Sequence, residues 1–170
     1  MREVLVVDDY AEMRRTVESI LEQSGRYRVV SAAGAEGALS VLARQRTDLA
    51  VIDAVLPGVG GIGLGMMALA CGVPILMMTG DLAMLALLDG LALPHLRKPF
   101  HLDDLLRQVE RTLAWRERLE HSIRESRRKL AMLQAAVARK DCAGLERCIR
   151  DSERELATLR ATLAGDGEGI

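Results

Sequence analysis

Three carboxylates, Asp8, Asp9 and Asp53, close apolar runs in "EVLVVDD" and "DLAVID". Two further apolar runs close on a hydroxyl, Thr79 in "VPILMMTG", and on an ammonium, Lys98 in "PHLRKPF". Carboxylates gathered without a cation repel one another, and their pKa values rise. A hard divalent ion relieves that repulsion, and Mg²⁺ takes one or two carboxylates while leaving positions for phosphate oxygens. Beside such an ion Asp53 is placed to accept a phosphoryl group, with Lys98 and Thr79 facing the charge that develops on it. The chemistry needs all five groups on one rim.

The elements that would place them there are legible from hydrophobic patterning. "EVLVVDD" reads as a buried parallel strand, and "YAEMRRTVESILEQSG" as a helix with Met13, Val17, Ile20 and Leu21 on one stripe. "YRVVSA", "DLAVID", "VPILMMTG" and "PHLRKPF" supply four more strands. "GAEGALSVLARQ", "GIGLGMMALACG", "DLAMLALLDG" and "HLDDLLRQVERTL" supply the helices between and after them. Five strand–helix alternations predict an α/β fold, a doubly wound five-stranded parallel sheet of the flavodoxin-like kind. Ligands of such sheets bind beyond the carboxyl ends of the strands, where Asp8, Asp9, Asp53, Thr79 and Lys98 all fall.

"LVVDD", "VIDAVLPG", "MMTG" and "LRKPF", in that order, resemble the receiver domain of two-component response regulators over roughly the first two-thirds of the chain. The resemblance implies that Asp53 is the phosphoacceptor, phosphorylated by a sensor histidine kinase or a phosphotransfer protein. It implies that Asp8, Asp9, Asp53 and the backbone carbonyl of Val55 bind Mg²⁺, and that Thr79 and Lys98 contact the phosphoryl group. A cis bond between Lys98 and Pro99 belongs to the same pattern. So does a switch in which Thr79 follows the phosphoryl group and an aromatic ring moves inward; here His95 stands at that aromatic position. Catalysis would be confined to self-phosphorylation of Asp53 and its reversal. The haloacid-dehalogenase-like phosphatases also pair an Asp nucleophile with Mg²⁺, but want a second Asp two residues on. Tyr10 and Val55 occupy those places.

Other features set limits or depart from the pattern. Among 170 residues the formal net charge is −1, which gives no global pull toward nucleic acid or anionic membrane. The cysteines, Cys71, Cys142 and Cys148, lack metal-ligand spacing, and the N-terminus lacks a signal-peptide pattern, so a reduced, cytoplasmic protein is expected. No charge occurs from Ala54 to Gly80, but "LPGVGG" and "CGVP" break that stretch and no membrane span is expected. The interval from Thr79 to Lys98 is short of the family norm by close to one helical turn, about 3.6 residues. The third and fourth helices are apolar nearly all round. Exposure of Met66, Met67, Met84, Leu85 and Leu88 would form a patch suited to a protein contact.

Beyond the receiver (1–117) the composition turns to Arg, Glu, Leu and Ala. Leu119, Ile123, Ser126, Leu130, Leu133 and Val137 alternate steps of four and three, as do Leu145, Ile149, Ser152, Leu156, Leu159 and Leu163. The phase breaks around "KDCAG", which predicts a helical hairpin over 118–164, followed by a disordered tail over 165–170. Such seams suit homodimerisation, for instance as a four-helix bundle or coiled coil, and output through protein contacts. Acids and bases nearly balance here, and direct DNA binding is not expected. The alternative is a phosphorelay intermediate or phosphate sink, with His121 as a phosphotransfer histidine, although His121 falls outside the seam.

Overall fold

The computed structural model describes residues 1–138 together with 147, 149–151, 153, 154 and 157. Its elements run β1 (Arg2–Val7), α1 (Ala11–Gln23), β2 (Tyr27–Ala32), α2 (Ala35–Arg44), β3 (Leu49–Asp53), α3 (Gly60–Ala70), β4 (Ile75–Thr79), α4 (Leu82–Gly90), β5 (His95–Arg97) and α5 (Leu102–Ala138). All strand pairs are parallel, in the order β2-β1-β3-β4-β5. The strand order reverses direction beside β1, between β1 and β3, which opens a crevice at their carboxyl ends.

The period-two alternation of the strands divides the core into two layers. Leu5, Val7, Ile52, Ile75 and Met77 face α2, α3 and α4, where Ala38, Leu64, Ala68 and Leu88 pack on them. Val4, Val6, Val51, Leu76 and Met78 face the other way, against Val17 and Leu21 of α1 and Leu105, Val109 and Leu113 of α5. The residues at i, i+4 and i+8 of α5 thus form its buried stripe. Both central strands, β3 and β4, are buried along their whole length, which explains their continuous apolar runs.

The chain divides into two compact units, Met1–Glu117 and Arg118–Ile170. The division falls inside α5, a 37-residue helix. Nothing between Leu102 and Ala138 breaks it: no proline or glycine occurs there. In the second unit Ile123, Leu130 and Val137 are exposed, and Leu133 is half-buried. The "KDCAG" turn lies outside the described residues, as do Leu145, Ser152, Leu156, Leu159 and Leu163 of the second seam and the tail. No helix among the described residues is long and apolar enough to cross a membrane.

The apolar helices require one correction. Met66 and Met67 are exposed as expected, Met84 and Leu85 are half-buried, but Leu88 is fully buried. It points from α4 into the same layer as Leu64 and Met77. A nine-residue helix seats itself on the sheet through such an inward residue.

Candidate functional site

Asp8 follows β1, Asp53 ends β3, Thr79 ends β4 and Lys98 follows β5, so parallel pairing delivers all four to the same end of the sheet. Lys98 Nζ donates to Asp53 Oδ2 and to Asp8 Oδ2, each at 2.7 Å. Asp8 is fully buried, Asp53 and Thr79 are buried, and the Lys98 side chain is mostly buried. Asp9 is exposed at the mouth. The Lys98–Pro99 peptide bond is cis.

Local hydrogen bonds hold the acids in place. The Tyr10 N–H donates to Asp8 Oδ1 at 2.9 Å, and the Val55 N–H donates to Asp53 Oδ1 at 3.0 Å. Each carboxylate therefore has one oxygen tied to the backbone and the other facing Lys98. Arg14 Nη1 donates to the Asp8 carbonyl at 2.7 Å, fastening α1 to the turn that carries the acids. Thr79 Oγ1 accepts from the Asp81 N–H at 3.1 Å, and Asp81 Oδ1 in turn caps α4 by accepting from the Met84 N–H at 3.0 Å.

The electrostatics follow from this packing. Burial raises the Asp8 pKa above its ordinary value, although Lys98 and the Tyr10 N–H pull the other way. For Lys98, burial would lower the pKa, but hydrogen bonds to Asp53 and Asp8 outweigh it and the net shift is upward. The pocket thus keeps a charged ammonium and holds one carboxylate in a setting that disfavours its charge. Asp8, Asp9 and Asp53 offer carboxylate oxygens within 4.8 Å of one another. An all-oxygen, anionic donor set of that size fits a hard divalent cation.

Gly61 explains how α3 starts so close to Asp53. A Cβ there would lie 1.8 Å from the Asp53 carbonyl oxygen, and Gly60 before it has φ +76°. The adjacent glycines of "GVGG" were the available sequence signal for this close approach. Arg14 gave no such signal, because its role depends on the turn geometry between β1 and α1.

His95 on β5 pairs with Met77 and is half-buried, with Nδ1 3.0 Å from the Leu93 carbonyl and Nε2 3.5 Å from Asp89 Oδ1. His121 is exposed on α5, its Nε2 3.8 Å from Glu125 Oε2, one helical turn on.

The receiver-domain geometry has direct counterparts. The response regulator receiver domain profile matches residues 4–110. The chain belongs to the response regulator receiver family. Sporulation initiation phosphotransferase F of Bacillus subtilis (strain 168) is 30% identical over 115 residues, covering 65% of this chain and 92% of that protein. A probable transcriptional regulator, ycf27 of Porphyridium aerugineum, is 34% identical over 114 residues, 65% of this chain and 47% of its own length. The chain therefore spans about half of that relative. Among solved structures, a CheY-like response regulator receiver domain protein from Methanospirillum hungatei JF-1 superposes with a TM-score of 0.62 at 28% identity, covering 69% of this chain and 98% of that one.

Proposed function

We propose that this receiver is phosphorylated on Asp53 by a sensor histidine kinase or phosphotransfer protein, and that its output runs through helical protein-contact surfaces. The observation that supports it most is the double hydrogen bond from Lys98 to Asp53 and Asp8. It sets a fixed cation against the oxygen of Asp53 that faces the pocket. There the ammonium can follow negative charge onto an incoming phosphoryl group.

Asp8, Asp9, Asp53 and the Val55 carbonyl would hold Mg²⁺, which supplies charge neutralisation for phosphoryl oxygens. Asp53 Oδ2 is the nucleophilic oxygen. It forms the new O–P bond as the bond from phosphorus to the donor's leaving group breaks. Asp53 Oδ1 stays held by the Val55 N–H, which fixes the rotation of the carboxylate. Lys98 turns from the two carboxylates toward the phosphoryl group, and the Thr79 hydroxyl donates to it. His95 is the residue on β5 placed to respond to that rearrangement. Beyond its own phosphorylation and dephosphorylation the protein catalyses nothing, and it works in the cytoplasm as a homodimer without direct DNA binding.

The relatives named as transcriptional regulators make DNA binding the natural competitor for output. The exposed stripe of Ile123, Leu130 and Val137 supports the protein-contact reading instead. Incubation with acetyl phosphate, with Mg²⁺ or with a chelator, tests the chemical core. One hydroxylamine-labile phosphoryl group is expected with Mg²⁺ only, and none on Asp53→Asn. Equal uptake in chelator, or uptake by the Asn variant, would overturn it. A second reading, relay through His121, would show instead as an acid-labile, alkali-stable phosphoryl group lost in His121→Ala.

A further inference from the structure

The outer surface of α3 and α4 is unusual for a helix layer on an open sheet. Met66 is 53% exposed, and Met67 and Leu69 lie exposed beside it on α3. Leu82, Leu87 and the C-cap Leu91 are exposed along α4. No lysine or arginine occurs from Thr47 to Leu96, and the exposed charges on this face are the carboxylates Asp81 and Asp89. An apolar face whose own helices carry acids and no lysine or arginine suits a partner that is apolar and basic.

The same chain carries a segment of that chemistry. Residues 121–138 of α5 contain Arg124, Arg127, Arg128 and Lys129 and a single acid, Glu125. They expose Ile123, Leu130 and Val137 at seven-residue intervals, with Leu130 at 56% and Val137 at 61%. That stripe extends about 21 Å, comparable with the about 16 Å of α3.

We infer that the basic stretch Ile123–Val137 of one copy docks on the α3–α4 face of a second copy, in a reciprocal pair. Like-with-like alternatives are electrostatically worse. The α3–α4 face against itself sets Asp81 and Asp89 beside their copies, and two parallel copies of the stretch bring Arg124, Arg127 and Arg128 together. A second copy of this chain offers an occupant of that chemistry, whereas a stretch seated on its own receiver would leave a monomer. Reciprocal exchange gives a closed two-fold assembly with two identical contacts. The inference rests on the reading that helical surfaces carry the output, but not on phosphorylation.

Sedimentation velocity without phosphodonor tests it on the full chain. Wild type and Asp53→Asn are expected to dimerise alike, so failure of phosphorylation leaves this result readable. Met66→Arg/Leu87→Arg should raise the dimer Kd roughly 100-fold, and Met66→Glu/Leu87→Glu by no more than about tenfold, because only the former repels the arginines. Arg124→Glu/Arg127→Glu/Arg128→Glu should also be monomeric alone. Mixed with the Met66→Arg/Leu87→Arg protein it should form dimers, since each face then meets its opposite charge. That restoration also certifies that both variants fold. A monomeric wild type, equal weakening by Arg and Glu, or no dimer on mixing would overturn the inference.

Discussion

Lys98 Nζ and Asp53 Oδ2 lie 2.7 Å apart in a pocket where the same ammonium also holds Asp8. One cation therefore balances two buried acids, and its removal leaves both. Lys98→Met is expected to cost about 1–3 kcal/mol, below the range for a fully buried pair because the Lys98 side chain keeps 17% exposure. Mg²⁺ should return more stability to the variant than to wild type, by replacing the lost charge. In wild type the pairing is fully present below the free-lysine value of 10.5 and is lost as pH rises through the raised folded value. Urea unfolding with and without Mg²⁺ reads both effects. Identical Mg²⁺ gains in the two proteins would contradict the shared role of Lys98.

Gly61→Ala should destabilise the receiver by roughly 1–3 kcal/mol or more, because its Cβ would collide with the Asp53 carbonyl and the Ala54 backbone. Neither neighbour is a flexible side-chain end, so α3 itself must shift. Gly63→Ala is the comparison, since its Cβ meets only the end of the Val59 side chain. Denaturant midpoints that fall equally for both would contradict the close approach.

Ala92→Gly should stabilise the protein, by about 0.5–1 kcal/mol. Ala92 follows α4 with φ +52°, while its N–H donates to the Asp89 carbonyl and the Leu93 N–H to the Leu88 carbonyl. Glycine takes that left-handed conformation without a Cβ clash. A lower thermal midpoint for the glycine form would show that its extra freedom in the unfolded chain outweighs the relieved strain.

Asp81 joins the site to α4: its N–H reaches Thr79 Oγ1 and its carboxylate caps the helix. Asp81→Ala should cost about 1 kcal/mol through the lost cap. The exposed Val55 offers no polar side chain to orient an attacking water, and Asp81 is the nearby acid that could repel hydroxide or take a proton. The aspartyl phosphate is therefore expected to be long-lived, with a lifetime that changes in Asp81→Ala. Rapid decay of the phosphoryl group, the same in both proteins, would remove Asp81 and Val55 from control of the lifetime.

Legibility differed between parts of the molecule for physical reasons. Asp53, Thr79 and Lys98 were readable because each closes an apolar run, and parallel pairing sends the ends of such runs to one rim. The burial of Leu88 was not readable, because an almost wholly apolar helix has no polar face to show which side turns inward. The second bond of Lys98, to Asp8, is set by the three-dimensional packing alone, since two acids competing for one ammonium look the same in sequence as one acid paired.

Locating the phosphoryl group is the most direct measurement of the central proposal. After brief exposure to acetyl phosphate and Mg²⁺, borohydride reduction converts an aspartyl phosphate to homoserine, and peptide mass spectrometry reads its position. The expected result is homoserine at residue 53 alone, with Asp8 and Asp9 intact and His121 unmodified. Homoserine at position 8 or 9, or phosphate retained on His121 with Asp53 unchanged, would contradict Asp53 as the acceptor.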